Sequence, residues 1–194
     1  NGNSTVMINK SGKVVKEDVY GGGALAHVNA NMEVNGNDTT YSYNTGKVTT
    51  VTILDGAIGG NVYGGGLGKL VPGVDTVAAK VYGKVFVNIG KMGEGNSLIG
   101  EASFVVSDDI NKGNVFGCNN ICGTPLDSVF VNIYNTKHTE GDLTTSNEYP
   151  TSITDMATLI TAPNSNANYA IKAVYGGGNM ASYEPELNDN DQPK

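Results

Sequence analysis

The chain has 194 residues, with 19 acidic against 12 basic side chains, no arginine and a net charge of −7. That balance argues against a nucleic-acid partner, because phosphate binding needs clustered Lys and Arg to displace counterions. No apolar run approaches the ~20 residues that cross a bilayer, and the 27 glycines, with asparagine scattered throughout, describe a chain of many tight corners. All-β is therefore the expected class, and the length suits one folded unit with its own core.

In chain order, "STVMIN" at Ser4 to Asn9 opens the sequence with apolar residues alternating against small polar ones, the mark of a strand with one buried face. "DVYGGGAL" follows from Asp18, a hydrophobic, an aromatic and three glycines. The pair then recurs as "TTVTIL" at Thr49 to Leu54 and "NVYGGGLG" from Asn61, as "KVFVNI" at Lys84 to Ile89 and "NVFGCNNI" from Asn114, and as "SVFVNI" at Ser128 to Ile133 and "AVYGGGNM" from Ala173. The valines of the glycine motif are Val19, Val62, Val115 and Val174, 43, 53 and 59 residues apart. The period drifts because the connectors differ: "LDGAIGG" from Leu54 reads as a tight one, Gly90 to Gly113 as a long one, and Asn135 to Asn168 as the longest insert, where Ser152 and Asp155 fit the cap of a short helix.

Strands that repeat, and not only turns, predict layers stacked in parallel about 4.8 Å apart. In such a stack every corner residue meets its equivalent above and below, so a residue without Cβ that also reaches φ > 0 is expected at each corner. The valines are expected to form an inward ladder and Tyr20, Tyr63, Phe116 and Tyr175 an aromatic one. The expected fold is a right-handed parallel β-helix, or β-solenoid, with irregular loop insertions over residues 1–182, followed by a disordered acidic tail or linker at 183–194; a β-sandwich is the alternative. The third copy, "VFGCNNICG", replaces two of its glycines and puts that layer's corner in question.

The "GNVYGGG" and "VFVNI" repeats resemble the glycine-rich repeats of large exported surface proteins of gut Bacteroidetes. The resemblance covers Ser4 to Gly178 apart from the inserts. It implies an adhesin-like parallel β-helix at the cell surface, and it carries no catalytic residue.

Sites are sparse. "GGGLGK" ending at Lys69 lacks the Ser or Thr and the helix of a phosphate-binding loop. Cys118 and Cys122 stand one residue further apart than a redox pair; two unlinked thiols are expected, with a local disulfide as the alternative in an exported protein. His27 and His138 have no signature linking them to a nucleophile, so structural roles are expected. The acids Asp18, Asp55, Asp75, Asp108, Asp109, Asp127 and Asp142 are dispersed, and no metal or cofactor is expected. Tyr20, Tyr63 and Tyr175 have two readings, core stacking or a solvent-facing platform for sugar rings. The expected function is a non-catalytic module, secreted or at the cell surface, that binds a glycan or host protein through its inserted loops or serves as a spacer; a carbohydrate-active β-helix enzyme is the alternative, and Asn1 in place of Met fits a processed or excised chain.

Overall fold

The fold was obtained as a computed structural model, which describes residues 3–43, 46–71, 75–92, 95–100, 113–136 and 171–192. Among them there is no helix. The region around Ser152 lies outside the described residues.

The strands are β1 (Ser4–Val15), β2 (Val19–Tyr20), β3 (Asn31–Asn35), β4 (Asp38–Ser42), β5 (Val48–Ile58), β6 (Val62–Tyr63), β7 (Lys69–Val71), β8 (Asp75–Val77), β9 (Lys84–Ile89), β10 (Asn96–Ile99), β11 (Asn114–Phe116), β12 (Val129–Ile133) and β13 (Ala173–Tyr175). Two sheets carry the repeat. One has the order β1-β5-β9-β12 with β10 also on β5, the other β2-β6-β11-β13, and every pairing in both is parallel. Equivalent residues face each other: Val51 pairs with Val6 and Val87, and Val131 with Val87. Val62 pairs with both Val19 and Val115, and Val115 with Val174. Among the described residues antiparallel pairing is confined to the hairpins β3–β4 and β7–β8, so the two main sheets are not those of an antiparallel sandwich.

The alternation read from the sequence sets the burial. In β5 and β9, Thr49, Val51, Ile53, Val85, Val87 and Ile89 point into a core completed by Val19, Val62, Val115, Ile58, Ile99 and Val81. On the outer face Phe86 stacks on Phe130 at 4.9 Å, and Asn132 Nδ2 donates to Asn88 Oδ1 at 2.9 Å. Parallel bridges from Val28 to Val81 and from Val81 to Pro125 add a further side to the stack.

Three expectations change. "LDGAIGG" is no connector: β5 runs on through Ile58, and Asp55 to Ile58 pair with Asn96 to Ile99, a strand inside the long Gly90 to Gly113 insert. Asp55-Gly56-Ala57-Ile58 lacks period-2 alternation because Gly56, Ala57 and Ile58 are all buried. Second, no glycine of the repeated corners, Gly21 to Gly23, Gly64 to Gly66, Gly117 or Gly176 to Gly178, has positive φ. In the first three corners space selects them, since a Cβ on Gly64 would stand 2.3 Å from Gly117 O and 2.6 Å from Val85 Cγ1. Third, the acidic segment expected to be a disordered tail or linker lies against residues 124–127 over its first part. Tyr183 Oη donates to Asp127 O at 3.0 Å, Glu184 N to Thr124 Oγ1 at 2.9 Å and Glu186 N to Leu126 O at 2.9 Å, which satisfies backbone that composition alone would leave to water.

Candidate functional site

Each glycine corner is entered by a Val-aromatic dipeptide, and parallel register places the four aromatic rings in one column. Tyr20 stacks on Tyr63 at 5.0 Å, Tyr63 on Phe116 at 4.9 Å and Phe116 on Tyr175 at 4.9 Å, with interplanar angles of 6°, 4° and 11°. These distances match the spacing of paired strands, so the column is a direct consequence of the register. Tyr20, Tyr63 and Tyr175 are thus brought into one line, but face to face. Tyr63 is 1% exposed and Phe116 5%, against 48% for Tyr175. A flat strip of three open ring faces is not formed, because each ring covers its neighbour; the core-stacking reading describes Tyr63 and Phe116.

A polar margin runs along the column. Asp18 Oδ1 accepts from Asn61 N at 2.7 Å, and Asn61 Oδ1 accepts from Asn114 N at 2.9 Å and Asn114 Nδ2 at 3.1 Å, a ladder built from the residue before each of the first three valines. Tyr20 Oη donates to Asp18 Oδ2 at 2.9 Å and accepts from Asn120 Nδ2 at 2.8 Å, while Asn179 Nδ2 donates to Asn120 Oδ1 at 3.0 Å. Burial, and then the Asp18 charge, push the Tyr63 phenol up to about 12, against hydrogen bonds from Asn61 and Asn179. Tyr20 is raised by burial and by Asp18. Both phenols therefore stay protonated at neutral pH and act as hydrogen-bond donors and acceptors. Sequence reasoning passed over Asn120 and Asn179, which lie 59 residues apart and whose only signal is that both occupy the position after the third corner residue.

A second cluster joins the β3–β4 hairpin to the stack. His27 Nδ1 accepts from Lys80 N at 3.1 Å, which assigns its proton to Nε2 in the neutral ring, and its pKa is lowered by burial and by the Lys80 charge. The ring meets Tyr41 edge-on at 4.6 Å and Tyr82 at 5.7 Å. Tyr43 Oη donates to Asp127 Oδ2, and Asp127, 2% exposed, also accepts from Ser128 N through Oδ1. Burial and Asp127 raise the Tyr43 phenol. These contacts tie three distant segments together and make His27 a packed side chain.

Cys118 and Cys122 are free thiols. Cys118 is fully buried, its Sγ donates to Gly176 O at 3.4 Å, and burial pushes the thiol up to about 12, which disfavours the nucleophilic thiolate. The third corner nevertheless keeps its register, with Gly65 N donating to Cys118 O and Cys118 N to Gly177 O. Asp108, Asp109, Asp142 and His138 lie outside the described residues. Among the described residues no three His, Cys, Asp or Glu side chains gather in a metal-holding group, and no helix is long and apolar enough to cross a membrane. No protein-family model matches the chain, and neither curated proteins nor solved structures give a match.

Proposed function

We propose that this chain is a right-handed β-solenoid module, exported and non-catalytic, which displays its inserted loops for adhesion to a glycan or host protein. The observation that carries this reading is the in-register parallel pairing of equivalent strands through four layers, β1/β2, β5/β6, β9/β11 and β12/β13. The right hand follows from the rule for crossovers between parallel strands. A stiff stack of this kind holds loops at fixed positions, which is where recognition concentrates. Support for a non-catalytic role comes from the spread of Asp18, Asp55 and Asp127 over separate segments and from backbone N–H groups that hold their oxygens.

Leu98 and Ile99 of the first long insert are buried, so the loop test is directed at 101–112 and, in the second insert, at 137–168. The test is a glycan and host-protein array probed with the full chain and with either stretch replaced by a short Gly-Ser linker. Adhesion predicts a specific hit that one replacement abolishes while the thermal midpoint is kept. An array without specific hits removes the adhesive role and leaves that of a spacer.

A further inference from the structure

The first two positions of each corner obey a directional rule, whereas the third does not: a Cβ on Gly66 would stand 2.4 Å from Gly23 O and one on Gly178 2.5 Å from Asn119 O, both in the preceding layer. A Cβ on Gly21 would stand 2.4 Å from Gly64 O, one on Gly64 2.3 Å from Gly117 O, and one on Gly117 2.5 Å from Gly176 O. Each of these three glycines is therefore required by the layer that follows it. At Gly176 and Gly177 the rule has no object: among the described residues nothing stands within 4 Å of a Cβ there, and φ is not positive at either. The last layer keeps two glycines that its own surroundings do not demand.

At these two positions the backbone hydrogen bonds run the same way. Gly21 N donates to Tyr63 O at 3.0 Å, Gly64 N to Phe116 O at 2.9 Å and Gly117 N to Tyr175 O at 2.9 Å; beside them Gly22 N donates to Gly65 O and Gly65 N to Cys118 O. Continued one step, the pattern aims Gly176 N and Gly177 N at acceptors beyond the last layer, and among the described residues they have none. The opposite end of the stack presents the complementary groups, Tyr20 O and Gly22 O, which stand where Tyr63 O and Gly65 O stand one layer on.

We infer that the fourth layer binds the first layer of a second copy of this chain, head to tail, with β12 and β13 continued by the partner copy's β1 and β2. The faces match. Val174 and Tyr175 are 47% and 48% exposed where their equivalents Val115 and Phe116 are 0% and 5%, and Phe130 is 42% exposed. In the continued register Tyr175 meets a second Tyr20, and Phe130, Val131 and Ile133 meet Thr5, Val6 and Ile8. β5 and β9 already make those pairings, as Thr50 with Phe86, Val51 with Val87 and Ile53 with Ile89. A contact between unlike ends does not close on itself, so the product is an open, rod-like oligomer.

The experiment is sedimentation velocity over a concentration series on the full chain and on Gly176→Ala, with thermal melts of each. The wild-type chain sediments as a concentration-dependent ladder of rods. Gly176→Ala places a Cβ where the next copy's Gly21 O belongs and lowers the association constant at least tenfold, while the melting midpoint of the dilute monomer stays the same or rises. A chain that stays monomeric at every concentration overturns the proposal and assigns the edge to another partner. Association unchanged by Gly176→Ala also overturns it. So does a lowered monomer midpoint, which would mean that residues of the same chain cover the corner.

Discussion

Gly64 and Gly36 stand for two regions that use the same residue for unlike reasons. Gly64 sits in a buried corner with ordinary φ, and the space of its missing Cβ is filled by Gly117 O, Val85 and Val87. Gly36 opens the two-residue loop between Asn35 and Asp38 in the exposed β3–β4 hairpin, with φ +64 and nothing within 4 Å. The first is demanded by a neighbouring strand more than 50 residues away, the second by its own turn. In the stack, then, glycine records tertiary structure, and in the hairpin it records local conformation.

The sharpest way to break this contrast is Gly64→Ala. Its methyl group overlaps a backbone carbonyl held by the ladder, so neither partner moves away cheaply, and the variant is expected to lose about 3 kcal/mol or more in urea unfolding. A loss under about 1 kcal/mol would show that the corner has room and that its glycines are not a packing requirement.

The stack was readable because its signals are both local and repeated. Alternation over Thr49 to Ile53 and Lys84 to Ile89 marks the strands, and identical neighbours reveal the register. β5 beyond Leu54 and β10 were not readable, since Gly56 to Ile58 and Ser97 to Ile99 are buried in succession and leave no alternation to show. The hairpin had a signal that went unused, with "NMEVN" and "DTTYS" flanking Gly36 and Asn37. Of the candidate site, Tyr20, Tyr63 and Tyr175 were found, but not which way the rings faced, because an aromatic ladder has the same spacing whether its rings lie in the core or in water. The distant partner of Tyr20 is illegible in principle: Asn120 lies 100 residues away, in a chain full of asparagines.

Alkaline pH is expected to act on the buried side of the comparison. The Cys118 thiol and the Tyr63 phenol, each raised to about 12 chiefly by burial, hold their protons more tightly in the folded chain than in the unfolded one. Their contribution to stability is complete below the ordinary values of 9.0 and 10.0 and is lost as pH climbs from there toward 12. Each group adds a slope of at most about 1.4 kcal/mol per pH unit inside that window. Urea midpoints at pH 8 and pH 11 test it: a fall is expected in the wild-type chain, with a shallower one in Tyr63→Phe. Equal midpoints at the two pH values would contradict the burial of both groups.

Asn61→Ala sharpens the contrast on the polar side. It removes the acceptor that Asn114 N uses inside the stack, and the expected cost is about 2 kcal/mol in urea unfolding. Thr40→Ala, on the exposed hairpin, is expected to change stability by less than about 0.5 kcal/mol. Equal effects would mean that the Asp18–Asn61–Asn114 ladder adds nothing beyond ordinary surface hydrogen bonding.

A smaller effect than that of Asn61 tests the hairpin turn itself. Gly36 has open space around it, so a side chain there strains only the backbone, and Gly36→Ala is expected to cost about 1 kcal/mol, read as faster amide exchange across β3 and β4. Gly36→Asn should cost less, because asparagine tolerates positive φ better than alanine does. At Gly64 that order reverses, since the larger side chain collides harder with Gly117 O and φ is not at issue. The two rankings, Gly over Asn over Ala in the turn and Gly over Ala over Asn in the corner, separate conformation from space. If both sites gave one ranking, a single cause would account for glycine throughout the chain, and the proposed role of Gly176 at the open end would lose its physical basis.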